Sequence, residues 1–410
     1  MYIQSMTISR NARIGWALSL IVGIIFWALA HYALFPLLNY TLVIGSALLD
    51  GRLGVTYAPS WLNELVPWPN GLHYSVFPLG AVISMLPFSA LVHFGVLPEY
   101  PVPLIVALVA AACAGLAYAC TLYRPDFTQA KRIMLALWLV AGTWYLTNVV
   151  FAGSWHIALG VAVAGELAAL YWSVVKPRPL LAGLGLAIAF GNRTEIILTA
   201  PIILAYLLRP HWTGSRYWLD LLKTHWPVIA KFAVFPLILG ILTLMYNQAR
   251  FGAPLDFGYA RIPGVLDEPW YQAGIFSLSA IPDNARQMLI AGFHRVDGFP
   301  WPVPTGWGGS IFLASPFLLL LFRKPRGDMF RVITAWLAIV LLTLPLWVHG
   351  NTGGWQYSYR YALVLLPWLL VLFVEYLPRR VTKLEAGLFT LSLIMTAYAS
   401  YLFLFTDHLN

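Results

Sequence analysis

Two residues of opposite charge, Arg193 and Glu195, stand in the otherwise apolar stretch AFGNRTEIIL of residues 189–198. An arginine guanidinium is a planar fork of hydrogen-bond donors, which fits a phosphate or a carboxylate group. Arg193 is therefore suited either to an anionic ligand or to a structural ion pair with Glu195 or Glu166. Because a charge at the centre of a bilayer costs about 2.5–3.5 kcal/mol, the stretch predicts two short helices that turn at a recessed, wet mouth.

The composition places these charges in a membrane protein. The chain of 410 residues is 60% hydrophobic and 10% charged, with a mean hydropathy of +0.75, whereas a soluble domain has about 25% charged residues. Its apolar runs are continuous, without the alternation of a membrane β-strand, so the spans are predicted to be helical. The first run, residues 14–38, is too long for the core of a signal peptide and is predicted to be a retained span.

The basic residues indicate which side of the membrane each connector faces. The net charge is +9, but lysines and arginines cluster in short connectors such as the one with Lys176 and Arg178. That pattern is typical of cytoplasmic loops and argues against a nucleic-acid ligand. With a cytoplasmic N-terminus, parity then predicts about 11 spans. The predicted spans are residues 14–38, 102–122, 132–150, 155–174, 180–191, 195–208, 227–247, 308–322, 331–348, 361–377 and 384–405.

Two long segments are predicted on the outer face, residues 39–101 and residues 248–307. Residues 76–95 are interpreted as a juxtamembrane or re-entrant helix that does not cross, since a crossing would put every later basic connector outside. Residues 275–293 are predicted to form a second surface-lying helix. The chain is thus expected to be one all-α polytopic unit, residues 1–410, without a soluble domain. Its outward basic residues are all arginines: Arg52, Arg193, Arg250, Arg261, Arg286, Arg295 and Arg360.

Four sequence segments resemble the GT-C superfamily of membrane glycosyltransferases, and they occur in the same order along most of the chain. They are ALLDGRLG (47–54) with NGLHYSVFPLGAVISMLP (70–87), the short hairpin of residues 181–208, YNQARFGAPLDFGY (246–259) and GGWQYSYRYALVLLPWLL (353–370). The resemblance implies transfer of a sugar from a polyprenyl-phosphate carrier to an acceptor hydroxyl on the outer face, with inversion. An acidic residue of the first outer loop acts as the base in that reaction.

The resemblance leaves two residues as candidates for the catalytic base. Glu64 lies just before the Gly-Leu-His-Tyr segment, and Asp50 follows the first span more closely, as in other GT-C branches. Either residue can be the base, or one can be the base while the other orients the acceptor. A solvated loop acid is the structural alternative for Glu64, and an Asp-Gly turn is the alternative for Asp50.

The outer arginines are the candidates for binding the lipid phosphate, because its charge must be stabilised as it departs. Arg360 is favoured because Trp355, Tyr357, Tyr359 and Tyr361 surround it in sequence, and Arg193 is the second candidate. An interfacial aromatic belt is the alternative for the first, and an ion pair for the second. The remaining candidate substrate-binding residues are Arg250, Asp256, Tyr359, Trp355 and His73.

The sequence does not favour a metal cofactor. His73, His156 and His349 all fall on the predicted outer side, but their spacing matches no ligand pattern, and there is no Asp-x-Asp pair. A divalent cation is therefore possible but not favoured. The expected partners are a polyprenyl-phosphate sugar, the membrane and an acceptor that is a lipid-linked glycan, a polysaccharide or a protein. The expected location is the inner cell membrane. The alternative functions are a flippase for lipid-linked sugars and an O-antigen-type polymerase.

Overall fold

The computed structural model describes residues 2–33, 39–59, 62–212, 218–297 and 301–406. The described chain is largely helical. Its α-helices are α1 (Tyr2–Ala30), α2 (Tyr40–Leu49), α3 (Leu79–His93), α4 (Val102–Cys120), α5 (Gln129–Ala141), α6 (Tyr145–Val150), α7 (Ser154–Leu170), α8 (Pro179–Asn192), α9 (Ala200–Leu208), α10 (Trp218–Thr224), α11 (Trp226–Phe251), α12 (Ile281–Leu289), α13 (Ile311–Ala314), α14 (Met329–Val348), α15 (Leu366–Tyr376) and α16 (Lys383–Phe405). A small antiparallel hairpin pairs β1 (Leu65–Pro67) with β2 (His73–Ser75).

Six helical stretches in the described ranges are long and apolar enough to cross a membrane. They are Arg10–Ala30, Val102–Tyr123, Ser154–Val175, Trp226–Phe251, Met329–Val348 and Lys383–Phe405. The third stretch includes a short π-helical end after α7. The apolar helices α2, α3 and α8 are shorter than 18 residues, below the ~20 residues that a perpendicular span requires. The membrane class predicted from composition is therefore supported by the helices themselves.

Several predicted spans are interrupted in the structure. Residues 132–150 form two helices, because α5 ends at a cap on Gly142 before α6 begins. Residues 316–322 and residues 360–365 are 3₁₀ turns, the latter leading into α15. The predicted first span extends to residue 38, whereas α1 ends at Ala30 and residues 34–38 lie outside the described ranges.

The predicted break at Arg193 is confirmed. Helix α8 ends at Asn192, Arg193 has an extended backbone, and a 3₁₀ turn over residues 194–199 leads into α9. Small residues hold this hairpin tightly against α7: a Cβ on Gly165 would lie 2.6 Å from the Ala189 nitrogen. Such close backbone approach is how helices pack inside a bilayer, where apolar side chains gain little by leaving lipid.

The predicted outer segments contain short elements that pack on the helix bundle. In the first segment, α2 lies against α3, and Ser89 Oγ donates a hydrogen bond to the Leu42 carbonyl at 2.8 Å. The β-hairpin lies between these two helices in sequence. In the second segment, the predicted helix over residues 275–293 is shorter than expected, since a 3₁₀ turn begins at Leu278 and α12 ends at Leu289. Proline at the second residue of α12 favours that late start.

Candidate functional site

Glu64 lies at the centre of the candidate site. The residue is half-buried, and its Oε2 accepts a hydrogen bond from the Tyr40 hydroxyl at 3.1 Å. Oε1 accepts no hydrogen bond from any residue in the described ranges. Burial raises the pKa of this carboxyl group, although the charge of Arg360 and the Tyr40 hydrogen bond both lower it. Glu64 is therefore a carboxylate with a strengthened affinity for a proton and one oxygen available for a ligand.

The β-hairpin positions Glu64, and Arg250 holds the hairpin. Glu64 directly precedes β1, and its carbonyl accepts a hydrogen bond from the Val76 nitrogen at 3.2 Å. Arg250, at the end of α11, donates hydrogen bonds to the Ser75 carbonyl and, at 2.7 Å, to Asn247 Oδ1. Its guanidinium also lies 3.8 Å from the Tyr246 ring centroid. Arg250 thus fixes β2, the strand that pairs with β1, and its predicted role in substrate binding stays a prediction.

Arg360 brings a positive charge to Glu64 without pairing with it. The side chain is 7% exposed and donates hydrogen bonds to the Gly354 carbonyl and, at 3.4 Å, to the Tyr361 hydroxyl. Its Nε is buried without a hydrogen-bond partner, and no carboxylate of a described residue lies within 4.0 Å. A buried arginine without a counter-ion is costly. The Arg360 guanidinium is therefore a candidate for binding an anionic ligand.

The loop before Arg360 has an unusual backbone. Trp355 and Ser358 adopt positive φ values of 50° and 58°, and Gly353 adopts 87°. A non-glycine residue in this region costs about 1–3 kcal/mol, and such residues cluster at functional sites. A Cβ on Gly350 would overlap the Tyr271 ring, so only glycine fits there. The strained loop places the Gly354 carbonyl where it accepts a hydrogen bond from Arg360.

The hairpin tip brings Arg193 to the same place. Its Nε donates a hydrogen bond to Glu195 Oε1 at 2.9 Å. Its guanidinium carbon lies 5.0 Å from the Tyr361 ring centroid, and that of Arg360 lies 5.1 Å from the same centroid. The two arginines predicted to bind phosphate therefore lie against the same aromatic ring. Arg193 also forms the ion pair with Glu195 that was its structural alternative. We call the set Tyr40, Glu64, Arg193, Tyr259, His349, Arg360 and Tyr361 the Glu64 cluster.

His349 is a member of the Glu64 cluster that the sequence patterns did not select. It follows α14, and the rings of Tyr259, Tyr271, Phe276 and Tyr361 surround it at centroid distances of 5.5–5.8 Å. Its Nδ1 lies 2.9 Å from the Asn351 carbonyl oxygen. Sequence spacing could not reveal this enclosure, because the surrounding rings come from three separate segments. The enrichment of tyrosine on the predicted outer face was the available signal.

The other predicted site residues are not part of the Glu64 cluster. Asp50 caps the opposite end of α2 from Tyr40, where it pairs with Arg52 at 2.6 Å and lies 3.6 Å from His93 Nδ1. A helix of ten residues is about 15 Å long, so Asp50 and Glu64 occupy separate places. Asp256 pairs with Arg261 at 2.7 Å.

The remaining three candidates have the following contacts, and their predicted roles in binding stay predictions. The buried Tyr359 hydroxyl donates to Asn284 Oδ1 at 2.9 Å. Trp355 is exposed, and its carbonyl lies 3.0 Å from His156 Nε2. His73 forms backbone pairs with Val55, and its buried Nδ1 lacks a partner among the described residues.

A separate cavity of about 290 Å³ lies at the other end of the helices. It is lined by Ser173, Val174, Pro177, Tyr206, Arg209, Pro210 and Arg331. Both of its arginines form ion pairs, Arg209 with Asp328 and Arg331 with Glu375. We therefore place the candidate site at the Glu64 cluster, where Glu64 and Arg360 have no ion-pair partner among the described residues, and not at this cavity.

The described residues contain no group of three or more His, Cys, Asp or Glu side chains that is placed to hold a metal ion. Cys113 and Cys120 are buried and unpaired within the bundle. No protein-family model, curated protein or solved structure matches this chain significantly. The site geometry and the sequence resemblance therefore carry the functional argument.

Proposed function

We propose that this protein is an integral-membrane glycosyltransferase of the GT-C type. It moves a sugar from a polyprenyl-phosphate carrier to an acceptor hydroxyl on the extracytoplasmic face, with inversion of the anomeric carbon. The observation that supports this most strongly is that an available carboxylate, Glu64, feels the charge of a buried arginine, Arg360, that has no counter-ion among the described residues. The acceptor is a lipid-linked glycan, a polysaccharide or a protein.

In the proposed reaction, Glu64 Oε1 takes the proton of the acceptor hydroxyl. The acceptor oxygen then forms a bond to the anomeric carbon, while the bond from that carbon to the phosphate oxygen breaks. The electron pair leaves with polyprenyl phosphate, whose added charge Arg360 and Arg193 stabilise. A raised pKa favours Glu64 as a base, since general bases work best when their pKa lies near the operating pH. No metal ion is required in this scheme.

The proposed topology has 11 crossings, with the N-terminus in the cytoplasm and the Glu64 cluster outside the inner membrane. Interrupted pairs such as α5 with α6 each form one crossing, and α3 does not cross. Single cysteines at the exposed positions Trp301 and Arg380 test the orientation. A membrane-impermeant maleimide added from outside should label only the first. Labelling of only the second would contradict the proposal.

The function is tested by sugar transfer from a panel of polyprenyl-phosphate sugars with purified protein in liposomes. Release of polyprenyl phosphate should depend on the sugar acceptor. Glu64→Gln should lower the rate by about 10²–10⁴-fold, the usual contribution of a general base. Asp50→Asn is the matched control, and it should retain most of the rate because Asp50 lies outside the Glu64 cluster.

The same preparation separates the rival functions. A flippase would move the lipid-linked sugar across the bilayer without releasing polyprenyl phosphate, and it would not require Glu64 in the same way. An O-antigen-type polymerase would join lipid-linked repeat units and would leave monosaccharide donors unused. Either result would contradict the proposed transfer.

A further inference from the structure

The most unusual feature of the Glu64 cluster is the state of His349. Four aromatic rings enclose its imidazole, and the charges that act on it come from Arg193, Arg360 and Glu195. The pKa of this histidine is lowered to about 4, mainly by burial and in part by the charges of the two arginines, while the Asn351 hydrogen bond and Glu195 oppose the shift. The imidazole is therefore neutral over the physiological pH range.

The hydrogen bond of His349 fixes which nitrogen carries the proton. A carbonyl oxygen can only accept a hydrogen bond, so Nδ1 must donate to the Asn351 carbonyl across their 2.9 Å separation. In a neutral imidazole, the other nitrogen then carries a lone pair and no proton. Nε2 receives no hydrogen bond from a residue in the described ranges and is not sealed from solvent. His349 thus presents one hydrogen-bond acceptor inside an aromatic pocket.

We propose that His349 Nε2 accepts a hydrogen bond from a hydroxyl group of the sugar that the lipid phosphate carries. The inference rests on the proposed function and identifies the part of the donor that this pocket recognises. The faces of Tyr259, Tyr271 and Tyr361 provide the apolar walls that a sugar ring contacts through its C–H groups. In this proposal Arg193 and Arg360 bind the phosphate, and His349 recognises the sugar.

The chemistry of Nε2 excludes two other occupants. An ionised phosphate offers only acceptor oxygens, so it cannot form a hydrogen bond with an unprotonated nitrogen. A metal ion needs several protein ligands, and no suitable group of three such side chains is present in the part of the chain that the structure describes. The ligand must therefore supply an O–H or N–H donor, which a sugar provides.

The test compares two probes in a lipid-binding assay. One probe is polyprenyl phosphate, and the other is the same lipid carrying glucose, galactose, mannose or arabinose. The wild-type protein should bind one sugar-bearing lipid more tightly than the bare lipid phosphate. His349→Phe keeps an aromatic ring but removes the acceptor, so it should weaken binding of that lipid by about 2- to 13-fold, the value of one neutral hydrogen bond. Binding of bare polyprenyl phosphate should stay unchanged.

Two further variants distinguish recognition from folding. His349→Gln retains an acceptor oxygen and should restore part of the preference for the sugar. His93→Phe makes the same exchange at a histidine next to Asp50, outside the Glu64 cluster, and should bind both lipids like the wild type. These variants also provide a matched comparison of thermal stability.

The outcomes separate this inference from the proposed function. If the wild type transfers sugar and His349→Phe keeps the full preference for the sugar-bearing lipid, the inference is wrong and the proposed function stands. If His349→Phe loses affinity for both lipids equally, His349 supports the pocket without reading the sugar, and the inference is again wrong. If the wild type neither binds nor transfers any donor, the proposed function fails and the inference fails with it.

Discussion

The two ends of the helix bundle differ in how some of their charged side chains are paired. At one end, ion pairs join the residues Arg124, Asp126, Lys131, Arg209, Asp328, Arg331, Glu375 and Glu385, which we call the paired end. The Glu64 cluster lies at the other end of the same helices: Arg331 begins α14 and His349 follows it, while Arg360 precedes α15 and Glu375 lies near its end. Each of the four cations in this set contacts a carboxylate, whereas Arg360 contacts none among the described residues.

We infer that this difference separates structural charges from the charges of the proposed active site. A buried ion pair is largely satisfied within the protein, although a paired arginine such as Arg193 keeps further N–H donors for a ligand. A buried cation whose counter-ion is absent, and a carboxylate with an available oxygen, are incomplete until a substrate supplies the missing groups. Such incompleteness costs stability, which is expected where selection favours function over folding. The comparison therefore predicts that changes at the two ends affect different measurements.

The largest effect should come from breaking the buried pair of Lys131 and Glu385, whose charged atoms are 2.5 Å apart and fully buried. Lys131→Met leaves Glu385 as an uncompensated buried charge, which costs about 3–5 kcal/mol of stability. The double variant Lys131→Met/Glu385→Gln should recover most of this loss, because Gln can retain the cap on α16. Thermal unfolding in detergent measures the loss in the single variant and the recovery in the double variant. Equal melting temperatures for Lys131→Met and the wild type would show that the pair is not structural.

The next effect should appear in catalysis and not in stability. Arg360→Gln should lower kcat/KM by about 10²–10³-fold, the usual cost of losing one charge-stabilising donor. It should not lower the melting temperature, because it removes an unpaired buried charge. Arg331→Gln is the matched exchange at the paired end; it separates Glu375 and Asp328 from a cation. It should lower the melting temperature and leave the rate per folded molecule intact. The reverse pattern would refute the distinction between the two ends.

Part of this comparison could be predicted from the sequence. Charge inside apolar runs predicted the break at Arg193, and the tyrosine-rich segment around Arg360 predicted a polar aromatic site. These signals are local. The structural role of Arg250 was not predictable, because its contact with Ser75 joins residues 175 positions apart.

The partner of Glu64 was also beyond the sequence patterns. Tyr40 and Glu64 meet only after α2 packs beside the β-hairpin, and the rings around His349 come together from three segments. The interruptions of the predicted spans at residues 142–144 and 316–322 depend on local caps and turns that mean hydropathy does not reveal. The sequence predicted residue types of the candidate site, and tertiary packing determines which of them lie close together.

The pH dependence of Glu64 should run in opposite directions for activity and stability. Its carboxyl pKa is raised from 4.5 in the folded protein, mainly by burial. Between pH 4.5 and the raised pKa of the folded protein, the folded state therefore binds more protons than the unfolded state. The stability of the folded state falls as pH rises through that interval. Activity needs the ionised form, so kcat/KM should rise over the same interval. Glu64→Gln should raise the melting temperature at neutral pH and flatten its pH dependence around this interval. An unchanged pH dependence would contradict the burial of this group.

The smallest effect should come from Asp50 and Arg52, a pair that provides an internal standard for the comparison. Both side chains are about two-fifths exposed, so solvent screens their interaction, and an exposed pair contributes about 0.2–1 kcal/mol or less. Arg52→Gln should shift the melting temperature by no more than a degree or two, and less still at high salt. Because this pair is neither buried nor incomplete, the transfer rate should also stay close to that of the wild type. A large loss of transfer in Asp50→Asn, with activity retained in Glu64→Gln, would instead move the base to Asp50. It would then show that an exposed, paired carboxylate does the chemistry in this fold.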